Sequence, residues 1–250
     1  MKSCLKLLSL NVGMSSSLAG VSALLKFEDI DIVLLQEVCL TSEQIEHLLR
    51  GFRACSNIDH ENINRPGIAL AWRQELPVEN VPSLVSCRLQ TATLGSLLLL
   101  NVYAPSGSNK KFERAQFFSQ DLFQALNLVP RASLIIGGDY NCLLKGIDVE
   151  GGVGFQSKKC KELADIVASF DLVDSFRALH PHKQEFTFYR PGNAASRLDK
   201  FYISSKLRPL VLSCSHHPSL SDHRGVKMVL DLELTVSNSY SSRGVFFGVF

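Results

Sequence analysis

Acidic, amide, phenol and imidazole side chains recur where apolar runs of this sequence end. The positions are Asn11, Glu37, Tyr103, Asp139, Asn141, Asp199, Asp222 and His223. Any one of them, taken alone, is better explained as a turn former or a helix cap. Loops and strand ends on a rigid scaffold are nevertheless where catalytic groups are usually presented. The recurrence of such side chains therefore predicts a shared site.

The segment GGDYN at 137–141 places a carboxylate and an amide two residues apart, at Asp139 and Asn141. If strand geometry persists through this segment, both side chains point to the same face. A carboxylate can then take a proton from a water molecule that the amide holds. The same residue types also suit a turn, so the segment alone leaves both interpretations open.

The segment SDH at 221–223 places Asp222 beside His223. Adjacent strand residues face opposite ways, so these two side chains can serve one site only from a loop. The segment SLS at 219–221, with its two serines, favours such a loop. A carboxylate such as Asp199 near His223 would raise the pKa of the imidazole and fix its tautomer, and the imidazolium could then bind a phosphate.

Glu37 follows an apolar run in the segment LLQEV. A carboxylate at the end of a buried strand needs a partner, because unpaired burial of a charge is costly. A hard divalent cation such as Mg²⁺, which prefers oxygen ligands, would suit this position. The sequence has no His/Cys cluster with the spacing of a zinc site.

The elements that must position these side chains alternate along the first half of the chain. Apolar runs typical of strands cover 5–12, 30–35, 68–72, 97–102, 134–136, 198–204 and 226–234. Helical periodicity predicts helices over 16–27, 42–49, 111–128 and 158–170. Such alternation indicates an α/β fold.

The composition is that of one large folded domain. Of 250 residues, 46% are hydrophobic and 20% are charged, which excludes a mostly disordered protein. The net charge of +2 excludes binding of nucleic acid by bulk charge but allows a local basic rim. Candidate rim residues are Arg65, Lys110, Lys111, Arg114, Lys145, Arg190 and Arg224.

The ends and the cysteines add three expectations. We expect the domain to cover residues 1–235 and the Ser- and Asn-rich segment 236–250 to be a tail or linker. Seven cysteines without a CxxC pair favour a reducing compartment, either cytosol or nucleus. No apolar run approaches the roughly 18 residues of a membrane span, so no membrane partner is expected.

Taken together, the motifs resemble those of the exonuclease–endonuclease–phosphatase family. They are LNV at 10–12, QE at 36–37, NVYAPS at 101–106, GGDYN at 137–141, RLDKFYIS at 197–204 and SDH at 221–223. The resemblance implies a DNase I-like, four-layer α/β sandwich, in which two facing mixed β-sheets are flanked by helices. It also implies hydrolysis of a phosphate ester with Mg²⁺, for which Mn²⁺ is a possible substitute.

Metal-side roles follow from the resemblance, position by position. Glu37 looks like the main metal ligand, with Asn11 beside it. Tyr103 looks like the tyrosine that supports the attacking group or the phosphate. Asp222 looks like an acid near the metal or the leaving group.

The resemblance also assigns the groups that act on water and phosphate. Asp139 looks like the residue that orients or deprotonates the attacking water, with Asn141 beside it. Asp199 looks like the partner of His223, and His223 looks like the phosphate contact. The implied reaction is in-line attack by water on phosphorus, without a covalent intermediate.

Residues 171–204 resemble the apurinic/apyrimidinic-like endonuclease domain of non-LTR, LINE-type retrotransposons. In that branch Thr187, Arg190 and Ser221 are expected to contact DNA, and the turn 190–196 forms a hairpin that probes the minor groove. Repair enzymes have a tryptophan where this chain has Ser196. The branch implies nicking of duplex DNA, leaving a 3′-hydroxyl for target-primed reverse transcription. It also implies a nuclear, possibly also cytoplasmic, location, a longer polyprotein with a reverse transcriptase, and a monomeric isolated domain.

Two alternatives stay open at this stage, an abasic-site repair endonuclease and a catalytically inactive DNA-binding or domesticated domain. The sequence departs from the family pattern at two places. Gly13 stands where Asp or Asn is frequent, and Val38 stands where Thr is commoner. Because neither departure removes a principal group, we expect an active hydrolase.

Overall fold

Alternating apolar runs form strands that pair into two six-stranded sheets. The computed structural model describes residues 3–14, 18–59, 65–81, 87–127, 133–152, 154–190, 192, 194–218 and 221–231. The described strands are β1 (Cys4–Asn11), β2 (Ile32–Val38), β3 (Phe52–Asn57), β4 (Gly67–Arg73), β5 (Val78–Val81), β6 (Leu89–Leu94), β7 (Leu97–Tyr103), β8 (Ser133–Asp139), β9 (Leu172–Asp174), β10 (Asp199–Ser204), β11 (Val211–His217) and β12 (Gly225–Asp231).

Each sheet has one central parallel pair and is otherwise antiparallel. The first sheet has the order β11-β12-β1-β2-β4-β3, with β1 and β2 parallel. The second has the order β5-β6-β7-β8-β10-β9, with β7 and β8 parallel. The prediction of two facing mixed sheets is confirmed. Because parallel neighbours run in the same direction, the polar residues that end them meet at one edge of each sheet.

Helices cover the outer face of each sheet. The described α-helices are α1 (Ala19–Phe27), α2 (Ser42–Leu48), α3 (Lys111–Gln116), α4 (Phe123–Leu126), α5 (Phe155–Lys158), α6 (Lys161–Ser169) and α7 (Ser175–Leu179), and a π-helical stretch at Phe117–Leu122 joins α3 to α4. None of the described helices is long and apolar enough to cross a membrane.

Three apolar layers hold the sandwich together. Leu7 and Leu34 of the first sheet share one buried cluster with Leu99 and Ile135 of the second. Leu8, one residue along β1, lies instead in the cluster under α1 and α2. Successive strand residues point to opposite faces, so a strand that is buried on both faces needs a continuous apolar run. This requirement explains why the central strands were predictable from the sequence.

A polar bridge joins the two sheets near the edge where the polar residues meet. The Gln36 Nε2 donates a hydrogen bond of 2.7 Å to Asn101 Oδ1, and both side chains are buried. The Asn101 amide in turn donates to the carbonyls of Leu35 and Ala69. Buried amides of this kind fix a register because a slipped strand would leave them unpaired.

The structure differs from the predicted elements in its short and peripheral parts. Strands β3, β5, β6, β9 and β11 were not predicted, because short or mixed-polarity strands near sheet edges lack a continuous apolar run. The predicted helix over 111–128 forms with a π-helical middle, and its last residue lies outside the described residues. The tail or linker expected at 236–250 also lies outside them.

Candidate active site

Strand ends from both sheets bring seven of the predicted residues into one group, which is joined by hydrogen bonds and by a 3.9 Å contact between His223 Nε2 and Asp139 Oδ2. We call this group the rim cluster, and it consists of Asn11, Glu37, Tyr103, Asp139, Asn141, Asp199 and His223. The strand register explains the meeting in the second sheet. Asp139, the last residue of β8, lies opposite Tyr103 on one side and Asp199 on the other.

Asn11 connects the carboxylates of the two sheets. Its Nδ2 donates to Glu37 Oε1 at 3.0 Å and to Asp139 Oδ2 at 3.1 Å. Its Oδ1 accepts a hydrogen bond from the Gly13 N–H at 3.0 Å. Asn11 is fully buried, so its amide acts as a neutral donor that holds two carboxylates in place.

Glu37 occupies a bulge in β2. Its φ is +58°, a left-handed conformation that costs energy in a residue other than glycine, and the β2–β4 register shifts between Gln36 and Val38. The bulge brings the carboxylate to the Tyr103 hydroxyl, which donates to Glu37 Oε1 at 3.1 Å. Burial, together with the charges of Glu37 and Asp139, raises the pKa of Tyr103 well above its usual value, so the phenol stays protonated.

Asp139 and Asn141 meet through a turn and not through strand geometry, which corrects the expectation of a shared strand face. The strand ends at Asp139, and Asn141 has a φ of +49°. The Asn141 N–H donates to Asp139 Oδ1 at 2.9 Å, and its Nδ2 donates to Asp139 Oδ2 at 3.2 Å and to the Ala104 carbonyl at 3.0 Å. Asn141 therefore acts on Asp139 as a donor.

The pKa of Asp139 is raised to about 6. Burial is the largest cause, and the nearby charge of Asp199 adds to it, while His223 and the donors Asn141 and Asn11 act in the opposite direction. A carboxylate with such a pKa is ionised at neutral pH and still basic enough to accept a proton from water.

His223 is held between two carboxylates. Its Nδ1 lies 2.9 Å from Asp199 Oδ2, and its Nε2 lies 3.9 Å from Asp139 Oδ2. Burial alone would lower the pKa of His223, but attraction to Asp199 and Asp139 and the hydrogen bond to Asp199 raise it to about 10. The ring packs against Phe188, with centroids 4.9 Å apart. His223 is therefore an oriented imidazolium at neutral pH.

Two predicted DNA contacts have internal partners. Thr187 is fully buried, and its Oγ1 accepts the N–H groups of Leu198 and Asp199, each at 3.0 Å. This burial is contrary to a direct contact with DNA and gives Thr187 the task of positioning Asp199. The Ser221 hydroxyl donates to the Asn11 carbonyl at 2.8 Å and accepts the His223 N–H at 3.1 Å.

The remaining predicted site residues, Asp222 and Arg190, are exposed. The expected loop at 221–223 is present, and it buries His223 while Asp222 faces solvent. Neither Asp222 nor Arg190 takes part in the hydrogen bonds of the rim cluster. In contrast, Phe188 was not predicted and packs directly on His223. Its place in the sequence could have suggested it, because Phe188 directly follows the predicted site residue Thr187.

The donor set of the rim cluster suits a hard cation beside Glu37. Both hydrogen bonds to this carboxylate use Oε1, which leaves Oε2 for a metal ligand. Asp199 Oδ1 is buried without a hydrogen-bond partner among the described residues. Asp139, Asp199 and His223 have ligand atoms within 4.8 Å of one another, but a protonated imidazole cannot ligate a metal. The fit is therefore better at Glu37, with oxygen donors.

A separate group of buried charges lies next to the rim cluster, which we call the ion-pair network. It consists of Asp148, Asp174, Arg177 and Arg197. Arg197 is fully buried and binds Asp148 through two hydrogen bonds of 2.9 and 3.0 Å. Burial would raise the pKa of Asp148, but the attraction of Arg197 and further cations lowers it. These charges were not predicted as a group.

The two departures from the family pattern leave the rim cluster intact. Gly13 has a φ of +62°, the left-handed region in which Asn and Asp are also tolerated, and its N–H orients Asn11. Val38 is fully buried in the core under α1 and α2. Neither position removes a hydrogen bond that the structure assigns to the rim cluster.

Comparisons with known proteins agree with this geometry. The profile described as Endonuclease/Exonuclease/phosphatase family matches residues 8–223. An uncharacterised 149 kDa protein of transposon TX1 from Xenopus laevis is 33% identical over 138 residues, which cover 54% of this chain and 10% of that protein. An exodeoxyribonuclease from Bacillus subtilis is 25% identical over 256 residues, which cover 91% of this chain and the whole of that protein.

Solved structures show the same fold. An AP endonuclease from Archaeoglobus fulgidus superposes with a TM-score of 0.75 at 21% identity, covering 91% of this chain and 100% of that one. The AP endonuclease LMAP from Leishmania major gives 0.74 at 20% identity, covering 92% and 88%. The predicted DNase I-like sandwich and the predicted class of enzyme, a hydrolase of phosphate esters, are confirmed. The chain belongs to the Endonuclease/Exonuclease/phosphatase family.

Proposed function

We propose that this chain is a Mg²⁺-dependent endonuclease that nicks one strand of duplex DNA. Mn²⁺ is a possible substitute for Mg²⁺. The observation that carries the proposal is the rim cluster, in which three carboxylates and one imidazolium from both sheets share buried hydrogen bonds. A buried excess of negative charge is unfavourable unless a cation offsets it, and Mg²⁺ is a hard cation that binds carboxylate and phosphate oxygens together.

The imidazolium of His223 binds the phosphate. Asp199 holds its Nδ1, which leaves the Nε2–H to donate to a phosphoryl oxygen and to stabilise the charge that develops there. Thr187 fixes the backbone of Asp199, and Phe188 fixes the plane of the ring. His223 thus enters the reaction already oriented, which lowers the cost of reaching the transition state.

Asp139 accepts the proton of the attacking water. Its two oxygens are held by Asn11 and Asn141, so the carboxylate does not rotate. Both contacts from the Asn141 side chain go to Asp139 and the Ala104 carbonyl, so Asn141 positions the base and does not donate to the phosphate. Tyr103 stays protonated and keeps Glu37 in its bulge. When bound beside Glu37, Mg²⁺ would supply Lewis-acid stabilisation of the phosphate and the leaving oxygen.

The proposed role of the nick is to leave a 3′-hydroxyl that primes reverse transcription at the target. The relative from transposon TX1 supports this role. The matched segment covers about a tenth of that relative, which supports a longer multidomain protein. We propose a reverse transcriptase as a further domain of that protein. The proposed partner is duplex DNA, and the isolated domain is proposed to be a monomer. The proposed location is the nucleus, with the cytoplasm as a second compartment.

Abasic-site repair is the second candidate, and the match along the whole Bacillus subtilis exodeoxyribonuclease favours a repair-type or exonucleolytic activity. The residue at the position of the repair tryptophan argues against it. Ser196 is fully buried, and its Oγ accepts a hydrogen bond of 2.8 Å from Lys158 Nζ. Position 196 therefore offers no aromatic surface against which an abasic sugar could lie.

Conversion of supercoiled plasmid to open circles in Mg²⁺ tests the proposal. We expect nicking by the wild type, no nicking by Glu37→Ala or His223→Ala, and normal nicking by the matched control Glu75→Gln. Glu75 is exposed in the turn after β4, at the end of the strand remote from the site. No nicking by the wild type, or equal nicking by all four proteins, would end the proposal.

Two further assays separate the candidate functions. A duplex oligonucleotide with one abasic analogue, compared with the intact duplex, distinguishes repair from general nicking. Strong preference for the lesion would favour the repair candidate. Extension of the nicked strand by a polymerase, without prior end treatment, is expected if the product carries a 3′-hydroxyl. Failure of extension would remove the priming role while leaving hydrolysis intact.

A further inference from the structure

A short ribbon of two chain segments carries His223. Residues 187–190 run antiparallel to residues 222–224, because the Tyr189 N–H donates to the Asp222 carbonyl at 2.9 Å and the Arg224 N–H donates to the Thr187 carbonyl at 2.6 Å. Phe188 lies directly opposite His223 as an antiparallel bridge. The ribbon therefore has two faces, as any pair of extended strands does.

The two faces of the ribbon carry different pairs of side chains. On the face of the rim cluster, Phe188 packs against His223. The alternate residues, Tyr189 and Arg224, contact each other on the other face, with the guanidinium carbon 4.6 Å from the centre of the phenol ring. Tyr189 remains 38% exposed. The two residues are diagonal neighbours across the ribbon. Arg224 directly follows His223 in the chain, and Tyr189 directly follows Phe188.

The chemistry of the pair suits a phosphate group. An arginine stacked on an aromatic face is held flat, so its in-plane N–H groups stay available for a bidentate contact with two phosphate oxygens. Among the described residues, the Arg224 guanidinium has no carboxylate at ion-pair distance, although the charge of Glu185 lies in its vicinity. Because the side chain is already oriented, less conformational freedom is lost on binding.

We infer that Tyr189 and Arg224 form a binding subsite for a backbone phosphate of the DNA, which lies on the opposite face of the ribbon from His223 and is distinct from the phosphate that His223 contacts. The inference rests on the proposed nuclease function and adds a binding residue to it. Arg224 contributes affinity and register along the strand, not the chemical step, because phosphate contacts position a protein on DNA without reading sequence. Backbone hydrogen bonds hold the two segments of the ribbon together, so the position of Arg224 is fixed relative to that of His223.

Binding measured without cleavage tests the subsite. Fluorescence anisotropy of a labelled duplex oligonucleotide, in EDTA and over a series of salt concentrations, reports affinity and the number of phosphate contacts. We expect Arg224→Ala to weaken binding about tenfold, as for a hydrogen bond to a charged group. We also expect it to reduce the slope of log affinity against log salt by about 1.

Three more substitutions separate the effect of the charge from that of the ring contact. Arg224→Lys keeps the charge and should keep the salt slope, but it should weaken binding about threefold because the stacked guanidinium is lost. Tyr189→Ala should have a similar effect, and Tyr189→Phe, which retains the ring, should bind as the wild type does. The matched control is Arg208→Ala, because Arg208 is exposed beyond the other end of β10 and should not contribute.

The outcomes separate this inference from the proposed function. If the wild type nicks plasmid and Arg224→Ala matches it in affinity and salt slope, the subsite is wrong and the nuclease stands. If the wild type binds duplex DNA with the expected dependence on Arg224 but never nicks, the subsite stands and the nuclease is wrong. If the wild type neither binds nor nicks, both are wrong. The inference predicts that Arg224→Ala raises KM for DNA and leaves kcat unchanged. A lower kcat of this variant at saturating DNA would therefore also contradict it.

Discussion

The rim cluster and the ion-pair network are two adjacent groups of buried charge with opposite balances. The ion-pair network has two arginines against two carboxylates, and Arg197 binds both acids at once. The rim cluster has three carboxylates against one imidazolium, and its other donors are neutral amides and a phenol. A buried oxygen of Asp199 has no hydrogen-bond partner among the described residues. Both groups adjoin the start of β10, since Arg197 and Asp199 are two residues apart.

The difference indicates what each group is for. In a balanced buried network the charges neutralise one another, and their ion pairs hold the surrounding chain segments in place. A group with an excess of carboxylates remains short of positive charge, which a metal ion can supply. Asp148 accordingly has a lowered pKa, whereas the pKa of Asp139 is raised to about 6. The comparison predicts that substitutions in the two groups act on different properties of the protein.

The largest expected effect is on catalysis, from Asp139→Asn. Removal of a general base typically reduces the rate by a factor of about 10² to 10⁴, and we expect a loss of about 10³ in kcat for plasmid nicking. The free energy of unfolding should change little, because the loss of one crowded negative charge offsets the contact of the new amide nitrogen with a donor of Asn11 or Asn141. Nicking at the wild-type rate, or a large loss of stability in urea, would remove the distinction between the two groups.

The matched substitution in the ion-pair network, Asp148→Asn, should act on stability. It removes the carboxylate that Arg177 and Arg197 share, so that Arg177 loses its carboxylate partner and Arg197 keeps only Asp174. Breaking a buried pair in this way costs about 3–5 kcal/mol, which urea denaturation would measure. The folded fraction at low temperature should retain kcat within a few-fold. A stable Asp148→Asn protein that has lost all activity would show that the network takes part in the reaction.

The pH dependence of stability sharpens the comparison within the rim cluster. The pKa of His223 is about 10 in the folded protein, above the value of about 6.5 in an unfolded chain, so the folded state binds the proton more tightly. The resulting stabilisation is fully present below pH 6.5 and is lost as the pH rises through 10. Relative to His223→Gln, the wild type should lose a few kcal/mol of unfolding free energy across this window. A constant difference between the two proteins would mean that His223 is neutral in the fold.

The smallest expected effect concerns Gly13, whose N–H orients Asn11. Gly13→Asn restores the family residue in a conformation that asparagine tolerates, although its Cβ would meet the Ser221 Cβ at 3.2 Å. We expect a stability change of no more than about 1 kcal/mol, comparable with other glycine substitutions, and activity close to that of the wild type. Complete loss of nicking would show that the position requires glycine and not merely the backbone N–H.

The central strands and the membership of the rim cluster were predictable because one physical cause links them. Strands buried on both faces show as apolar runs, and the polar residues that end them, such as Asn11 and Asp139, stand out against those runs. The family resemblance added the roles. The edge strand β11 was not predictable in the same way, since serine and histidine residues interrupt its apolar residues.

Ion pairs between residues that are far apart in the chain could not be predicted from the sequence, for a different reason. A single charged residue in a sequence is most often at the surface. Only the fold brings four such residues together, namely Asp148, Asp174, Arg177 and Arg197. The burial of Thr187 likewise depends on the neighbouring ribbon and on β10, which the local sequence does not reveal. Pairing over long distances in the chain is set by tertiary structure, so local patterns could not predict it.

The dependence of plasmid nicking on Mg²⁺ concentration, measured for the wild type and for Glu37→Gln, tests the central claim most directly. Glu37→Gln keeps the size of the side chain and its Oε1 acceptor for Asn11 and Tyr103 but removes the charge that would hold the cation. The account predicts no nicking by the wild type in EDTA, saturable activation by Mg²⁺, and loss of that activation in the variant. Equal activation of both proteins, or nicking in EDTA, would contradict it.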